Sequence, residues 1–280
     1  MNTYRFPAPA KLNLFLHITG RRDDGYHCLE SLFTLIDLAD ILTLTLRNDG
    51  VIAREREIPG VSEDTDLTLR AARLLQEATG ARQGVTLKVD KHIPQGGGLG
   101  GGSSDAATVL LALNRLWKTR LSRDELSALA LRLGADVPFF IGDTAAFVSG
   151  IGEILQPVSL PPMWIALAMP PVIVPTQEIF NDPHLTRNTA SETIAAFTKG
   201  YGRNDLEPVV AKRYRKVATA LTILRRATST ARMSGSGASV FGVFDEADEA
   251  EAALRGLPPE IPGRLTRTVA RHPLAEWAFR

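Results

Sequence analysis

Between residues 94 and 104 the chain runs Pro94-Gln95-Gly96-Gly97-Gly98-Leu99-Gly100-Gly101-Gly102-Ser103-Ser104, six glycines in eleven residues. So many glycines are needed where the backbone takes positive φ angles or lies within contact distance of a ligand. The flanks narrow the choice. From Gly84 to Asp90, Val85, Leu87 and Val89 alternate with Thr86, Lys88 and Asp90, the period of a strand. Ala106 to Trp117 reads as a helix. A flexible linker seldom runs directly from a strand into a capped helix. Loop amides and the free N–H groups of the first helical turn would instead converge on one point and form an anion site. Ser103 and Ser104 add hydroxyl donors, so the expected ligand is a phosphate.

The common phosphate loops do not fit. A P-loop ends in Gly-Lys-Ser/Thr, and no lysine lies between Gln95 and Arg115. The spacing Gly96-x-Gly98-x-x-Gly101 matches the dinucleotide fingerprint formally, but a glycine run produces that match almost automatically. The preceding strand also alternates, whereas a dinucleotide-fold strand is apolar on both faces. The His-Arg-Asp and Asp-Phe-Gly signatures of protein kinases are absent.

Elsewhere strands and helices interleave. Leu12, Leu14, Leu16 and Ile18 alternate with Lys11, Asn13, Phe15 and His17, which predicts a strand with one buried face and Lys11 and Asn13 on its solvated side. Asp24-Gly25 marks a turn, and a second alternating run over Leu42, Leu44 and Leu46 follows. Thr65-Asp66 can cap a helix that stops at Gly80, and Ser122 to Glu125 is a capping box for another that ends at Gly134. Beyond the prolines of 157–162, where a domain boundary is expected, come an apolar strand at 164–169 and helical material from about 204 to 226. A strand at 240–244, a helix at 245–255 and a last strand at 265–270 complete the chain. Alternating strands favour an α+β sheet with one covered face over a doubly wound parallel sheet.

Three further positions carry chemical groups. Asp136 stands among apolar neighbours after Gly134 and before Pro138, and is either a cap or a reacting group. Ser234-Gly235-Ser236-Gly237 is either a tight turn or a second wall against the ligand. Tyr26 and His27 follow a turn and by themselves suggest only surface or packing residues.

The 280 residues carry 32 Lys+Arg and 31 Asp+Glu, a formal charge of +1, which argues against a general nucleic-acid binder. The longest apolar stretch, 163–175, is too short and proline-rich to span a bilayer. The single cysteine, Cys28, cannot form an internal disulfide, and the N-terminus lacks the pattern of a signal peptide. The expectation is a cytoplasmic protein, monomer or homodimer, with no nucleic-acid or membrane partner. From Lys199 to Arg232 nine basic residues face two acids, read as a solvated helical face.

In order, a first strand bearing Lys11, the Pro94–Ser104 loop and the late Gly235–Gly237 loop resemble the GHMP kinases. The resemblance covers nearly the whole chain. It is closest to the branch acting on 4-diphosphocytidyl-2-C-methyl-D-erythritol in the non-mevalonate (MEP/DXP) route to isoprenoids, the alternatives being a homoserine- or mevalonate-type kinase, against which Tyr26-His27 argues, or a non-enzymatic nucleotide-binding module. Five segments carry it: Pro9 to Leu14, Arg21 to His27, Gly98 to Ser104, Gly134 to Pro138 and Arg232 to Ala238; Thr176 to Thr189 and Asn204 to Glu207 fit more weakly. Gln95-Gly96-Gly97 departs from the small residue and Gly/Ala alternation expected there.

The resemblance implies an N-terminal domain over 1–158, like domain 2 of ribosomal protein S5, and a ferredoxin-like C-terminal domain over 159–280. It implies transfer of the ATP γ-phosphate to a hydroxyl, with Asp136 as base and Lys11 as its partner. An ammonium beside a carboxylate favours the ionised, proton-accepting form, and also stabilises charge on the phosphoryl group. The ATP phosphates fall to Pro94–Ser104, with Ser234–Gly237 as a second glycine loop. The cytidine falls to Tyr26, His27 and Phe180, with Asn13 as a substrate contact. Mg²⁺ would accompany ATP; its ligands are not assigned, and Ser104 is the first position to consider.

Overall fold

A computed structural model of the chain describes residues 2–142, 144–191 and 202–280. The first two strands, β1 (Thr3–Arg21) and β2 (His27–Arg47), pair antiparallel along their whole length, and Gly25 takes a positive φ of 88° in the turn between them. The other edge of β2 is shared. Its residues 31–33 pair with β5 (Ala146–Ser149), Ile36 and Leu35 with β10 (Gly263–Val269), and 41–47 with β4 (Gly84–Asp90). β4 is bordered in parallel by the short β3 (Ile52–Arg54), and β5 by β6 (Ile154–Pro157).

Pairing continues into the second half of the chain. The first part of β10 pairs with β7 (Trp164–Ala168), which pairs with β9 (Val240–Phe244), and β9 with β8 (Arg232–Met233). Among the described residues the strands thus form one ten-stranded, almost wholly antiparallel sheet. The mixed, interleaved α+β class read from the alternating runs is the one observed.

One expectation fails along β1. Lys11, Asn13, Phe15 and His17 are as buried as Leu12, Leu16 and Ile18, so no face of this segment meets solvent. The strand crosses four separate clusters: Ala8 in the core of the first half, Ala10 and Leu12 against Ile165 and Phe241, Phe15 against Leu32 and Phe147, and Leu16 and Ile18 in the core of the second half. Irregular register between Asn13 and Leu16 turns the strand as it passes from one cluster to the next.

In the first half, α1 (Leu67–Thr79), α2 (Gly101–Leu116), α3 (Arg123–Leu131) and α4 (Val137–Ile141) supply most of the buried apolar residues. Asp66 caps α1 by accepting from Thr68 N, Gly80 ends it at φ 68°, and Ser122 with Glu125 forms the expected capping box on α3. α2 begins at Gly101, earlier than its apolar pattern announced. The second half of the glycine run is therefore helix, capped by Gly100 at φ 70°. Helical hydrogen bonding overrides glycine's poor propensity here because the turn is held on both sides by tertiary contacts.

The second half adds α5 (Thr176–Phe180), α6 (Glu207–Arg213), α7 (Arg215–Ala227) and α8 (Ala247–Leu254). The 204–226 stretch is two helices, broken at Tyr214, whose backbone is extended. α7 buries Val217, Ala220, Leu221 and Leu224 on one stripe, leaving Arg225 and Arg226 exposed. The basic segment is not uniformly a solvated face, however. Arg232 is buried and donates to Gly202 O at 2.7 Å and Leu14 O at 3.1 Å, while Lys199 lies outside the described residues. Among the described residues no helix is long and apolar enough to cross a membrane.

Candidate active site

The two glycine segments meet backbone to backbone. Ser239 N donates to Gly97 O at 3.0 Å, and Ser234 Oγ donates to Gly98 O at 2.9 Å. A Cβ on Gly98 would lie 2.1 Å from Ser234 O, and the residue also has a φ of +73°, so only glycine fits. The 234–237 turn is thus a wall of the same site. It is held from behind by Asn204, whose Nδ2 donates to Met233 O at 2.8 Å and Gly235 O at 2.7 Å. In front of the first loop lies an open cavity of about 400 Å³, lined by residues 94–103, the head of α1 from Thr65 to Thr68, Lys91, Asp105, Thr176 and Ser236. Ser103 lines this cavity. Ser104 does not: it is completely buried in α2.

Lys91 was not anticipated. Its ammonium lies 2.8 Å from Asp105 Oδ2 and also pairs with the fully buried Asp40, which accepts from Ile93 N at 2.8 Å. Burial opposes the charge on Lys91, but the two carboxylates outweigh it and push its pKa up. Asp105 is pushed up to about 7, chiefly by burial and then by Asp40, against the pull of Lys91. One cation shared by two acids leaves no surplus positive charge here, so attraction for an anion falls to the loop amides and the α2 N-terminus.

Behind the loop, Lys11 N donates to Leu99 O at 2.9 Å, and a Cβ on Gly100 would lie 3.0 Å from Lys11 Cγ. The buried Lys11 ammonium stands 3.3 Å from Asp136 Oδ2 and 4.2 Å from the centre of the Phe33 ring. Asp136 occupies the N-cap position of α4 yet its side chain makes no capping hydrogen bond, so the cap reading fails and the carboxylate is free to face Lys11. It remains about a third exposed, open to a substrate. Asn13, two residues from Lys11 on the same face, accepts from the ammonium through Oδ1 and donates through Nδ2 to Ser31 Oγ at 3.0 Å. Its backbone N–H donates to Ser234 Oγ at 3.1 Å, joining Lys11, Asn13 and the second glycine loop.

A separate cavity of about 470 Å³ is lined by Asp24 to His27, Leu29, Ile151, Gln177, Phe180 and Asn181. Tyr26 is 61% exposed at its edge, and the rings of His27 and Phe180 lie 5.2 Å apart. The structure therefore brings these three aromatic positions together although Phe180 is remote in sequence. The pKa of His27 is lowered, by burial first and then by the charges of Arg187 and Arg21. Arg187 was missed: its Nε donates to His27 Nε2 at 3.1 Å and its Nη2 to Phe180 O at 2.9 Å. Nothing in the sequence singles it out within 176–189.

Similarity to known proteins shows the family. Residues 66–150 match the GHMP kinases N terminal domain and residues 187–260 the GHMP kinases C terminal domain. The chain is 57% identical over 272 residues to 4-diphosphocytidyl-2-C-methyl-D-erythritol kinase of Thiobacillus denitrificans, covering 97% of this chain and 98% of the relative. It is 52% identical over 271 residues to the protein of that name from Aromatoleum aromaticum, covering 97% and 95%. A crystal structure of 4-(cytidine 5'-diphospho)-2C-methyl-D-erythritol kinase superposes with a TM-score of 0.81 at 34% identity, covering 95% of this chain and 99% of the other. Homoserine kinase from Cytophaga hutchinsonii, at 15% identity, shares the fold with a TM-score of 0.73 over 97% and 96% of the two chains. The glycine loops, the Lys11–Asp136 pair and the aromatic cavity thus sit in a chain that belongs to the GHMP kinases and, within them, to the 4-diphosphocytidyl-2-C-methyl-D-erythritol kinase family.

Proposed function

We propose that this chain uses ATP to phosphorylate the 2-hydroxyl of 4-diphosphocytidyl-2-C-methyl-D-erythritol, giving the 2-phosphate and ADP on the non-mevalonate route to isoprenoids. The observation that carries the mechanism is the Lys11–Asp136 contact at 3.3 Å, with Lys11 also hydrogen-bonded through its backbone to the glycine loop. Asp136 receives the proton of the acceptor hydroxyl as the oxygen attacks the γ-phosphorus. Lys11 neutralises charge that develops on the phosphoryl group. The amides of the Pro94–Ser103 segment and the α2 N-terminus hold the ATP phosphates, with Ser234–Gly237 closing the opposite wall. Tyr26, His27 and Phe180 receive the cytosine, a flat ring suited to stacking.

Mg²⁺ would accompany ATP and neutralise phosphate charge. Among the described residues no group of three or more His, Cys, Asp or Glu side chains could hold an ion. Asp105 and Asp136 are each already paired with a lysine, which fits a metal carried mainly by phosphate oxygens and water. The same reading divides the chain at about 158. The last residues cross back, with Leu274 and Ala278 in the first half's core. The enzyme works as a monomer or a homodimer. The proposed site of action is the cytoplasm, where ATP is available.

The deciding assay supplies ATP with and without the diphosphocytidyl substrate and measures ADP. Turnover should require that substrate. Equal turnover with homoserine or mevalonate would overturn the assignment.

A further inference from the structure

We propose that Arg187 is a positioning residue that fixes the tautomer of His27 and so decides which edge of a pyrimidine the neighbouring cavity accepts. The inference rests on the diphosphocytidyl reading above but begins from hydrogen-bond chemistry alone. A guanidinium stays charged and has only donors. Because Arg187 Nε donates to His27 Nε2 at 3.1 Å, that nitrogen must present its lone pair. The neutral ring then carries its proton on Nδ1. Nδ1 makes no hydrogen bond to a described residue, and the ring lines the cavity with Tyr26 and Phe180, so it offers that cavity an N–H.

The charged groups about the ring favour this state. Arg187 approaches from the segment after α5, Arg21 faces His27 across the hairpin, and Asp24 stands at the cavity's rim. Burial and the two arginines disfavour a doubly protonated imidazole. The same guanidinium sets the opposite wall. Its Nη2 donates to Phe180 O at 2.9 Å and Asp182 O at 2.8 Å, and its Nη1 to Leu185 O at 3.1 Å. One side chain thus fixes the donor and the ring facing it. A ring N–H matches the acceptor nitrogen N3 of cytosine and opposes the N3–H of uracil. Two donors forced together forfeit a hydrogen bond, worth roughly tenfold in affinity.

The test uses the full chain labelled with ¹⁵N-histidine, His27 being assigned by its loss in His27→Asn. Two-bond proton–nitrogen spectra should show the proton of His27 on Nδ1, and calorimetry should show CDP binding about tenfold or more tighter than UDP. Arg187→Met should mix the tautomers, narrow the CDP/UDP ratio and raise the KM for the cytidine substrate, with the KM for ATP unmoved. Arg187→Lys, which keeps a donor and the charge, should restore part of the ratio. If Arg187→Met fails to fold, the wild-type spectrum still decides: a proton on Nε2 overturns the proposal. An unchanged tautomer and unchanged ratio in Arg187→Met would reduce Arg187 to loop packing. The Nδ1–H tautomer in a protein that binds neither CDP nor UDP would support the Arg187–His27 relationship and overturn the cytidine reading instead.

Discussion

The Lys11 ammonium lies 3.3 Å from Asp136 Oδ2, a contact between the first strand and the turn that opens α4. The lysine is held by Asn13 Oδ1 and the Phe33 ring, while the aspartate is left partly exposed. A buried cation beside an accessible carboxylate suits the proton acceptance proposed for Asp136. Asp136→Asn keeps the shape but cannot take the proton. It should lower kcat by roughly 10²–10⁴-fold while ATP still binds. Steady-state kinetics with nucleotide-binding calorimetry checks this, and a fully active variant would make Asp136 structural.

Gly98 offers a steric test. Alanine there would place its Cβ 2.1 Å from Ser234 O and force a φ of +73° on a non-glycine residue. The strain alone costs about 1–3 kcal/mol. Gly98→Ala should lower the melting temperature and raise the KM for ATP together, because the two glycine segments must part. Gly102→Ala is the control, since its Cβ would meet only Leu67 Cδ1 at 3.7 Å. Equal behaviour of the two variants would refute the close-approach argument.

Tyr26, largely exposed at the cavity edge, contributes little to the core. Loss of an aromatic platform for a base costs about 1–3 kcal/mol. Tyr26→Ala should therefore weaken the cytidine substrate by about tenfold or more, with stability and the KM for ATP unchanged. Were ATP binding to suffer equally, the side chain would be serving the packing of the hairpin.

Asp105 gives a pH dependence with a definite sign. Its folded pKa of about 7 lies above the ordinary 3.8, so between those values the folded chain holds a proton that the unfolded chain releases. Its contribution to stability is greatest at the acid end and declines as pH rises toward 7. Asp105→Asn cannot ionise and lacks that decline. The melting temperature of the variant relative to wild type should rise between pH 5 and 7.5. A difference independent of pH would show that Asp105 titrates in its ordinary range.

How much of this was legible in the sequence follows from which interactions are local. The capping box at Ser122, the cap at Asp66, the alternation of Gly84–Asp90 and the glycine run are all written within a few neighbouring residues, and each was recovered. The order of motifs also pointed to the kinase family. The contacts of Arg187, Lys91 and Asn204 were not legible because each reaches partners distant in sequence, through hydrogen bonds or ion pairs that leave no periodic trace.

The sequence by itself determined where the backbone could turn tightly through positive φ angles, and which strands and helices would flank that loop. Only the tertiary structure decided that Lys11 and Asn13 are buried, because β1 runs between clusters supplied by residues from both halves of the chain. It likewise decided that the charge at the loop is balanced, since Asp40, Lys91 and Asp105 meet only after β2, β4 and α2 have packed. Glycine patterns are set by local geometry; charge pairing depends on distances that no short stretch of chain contains.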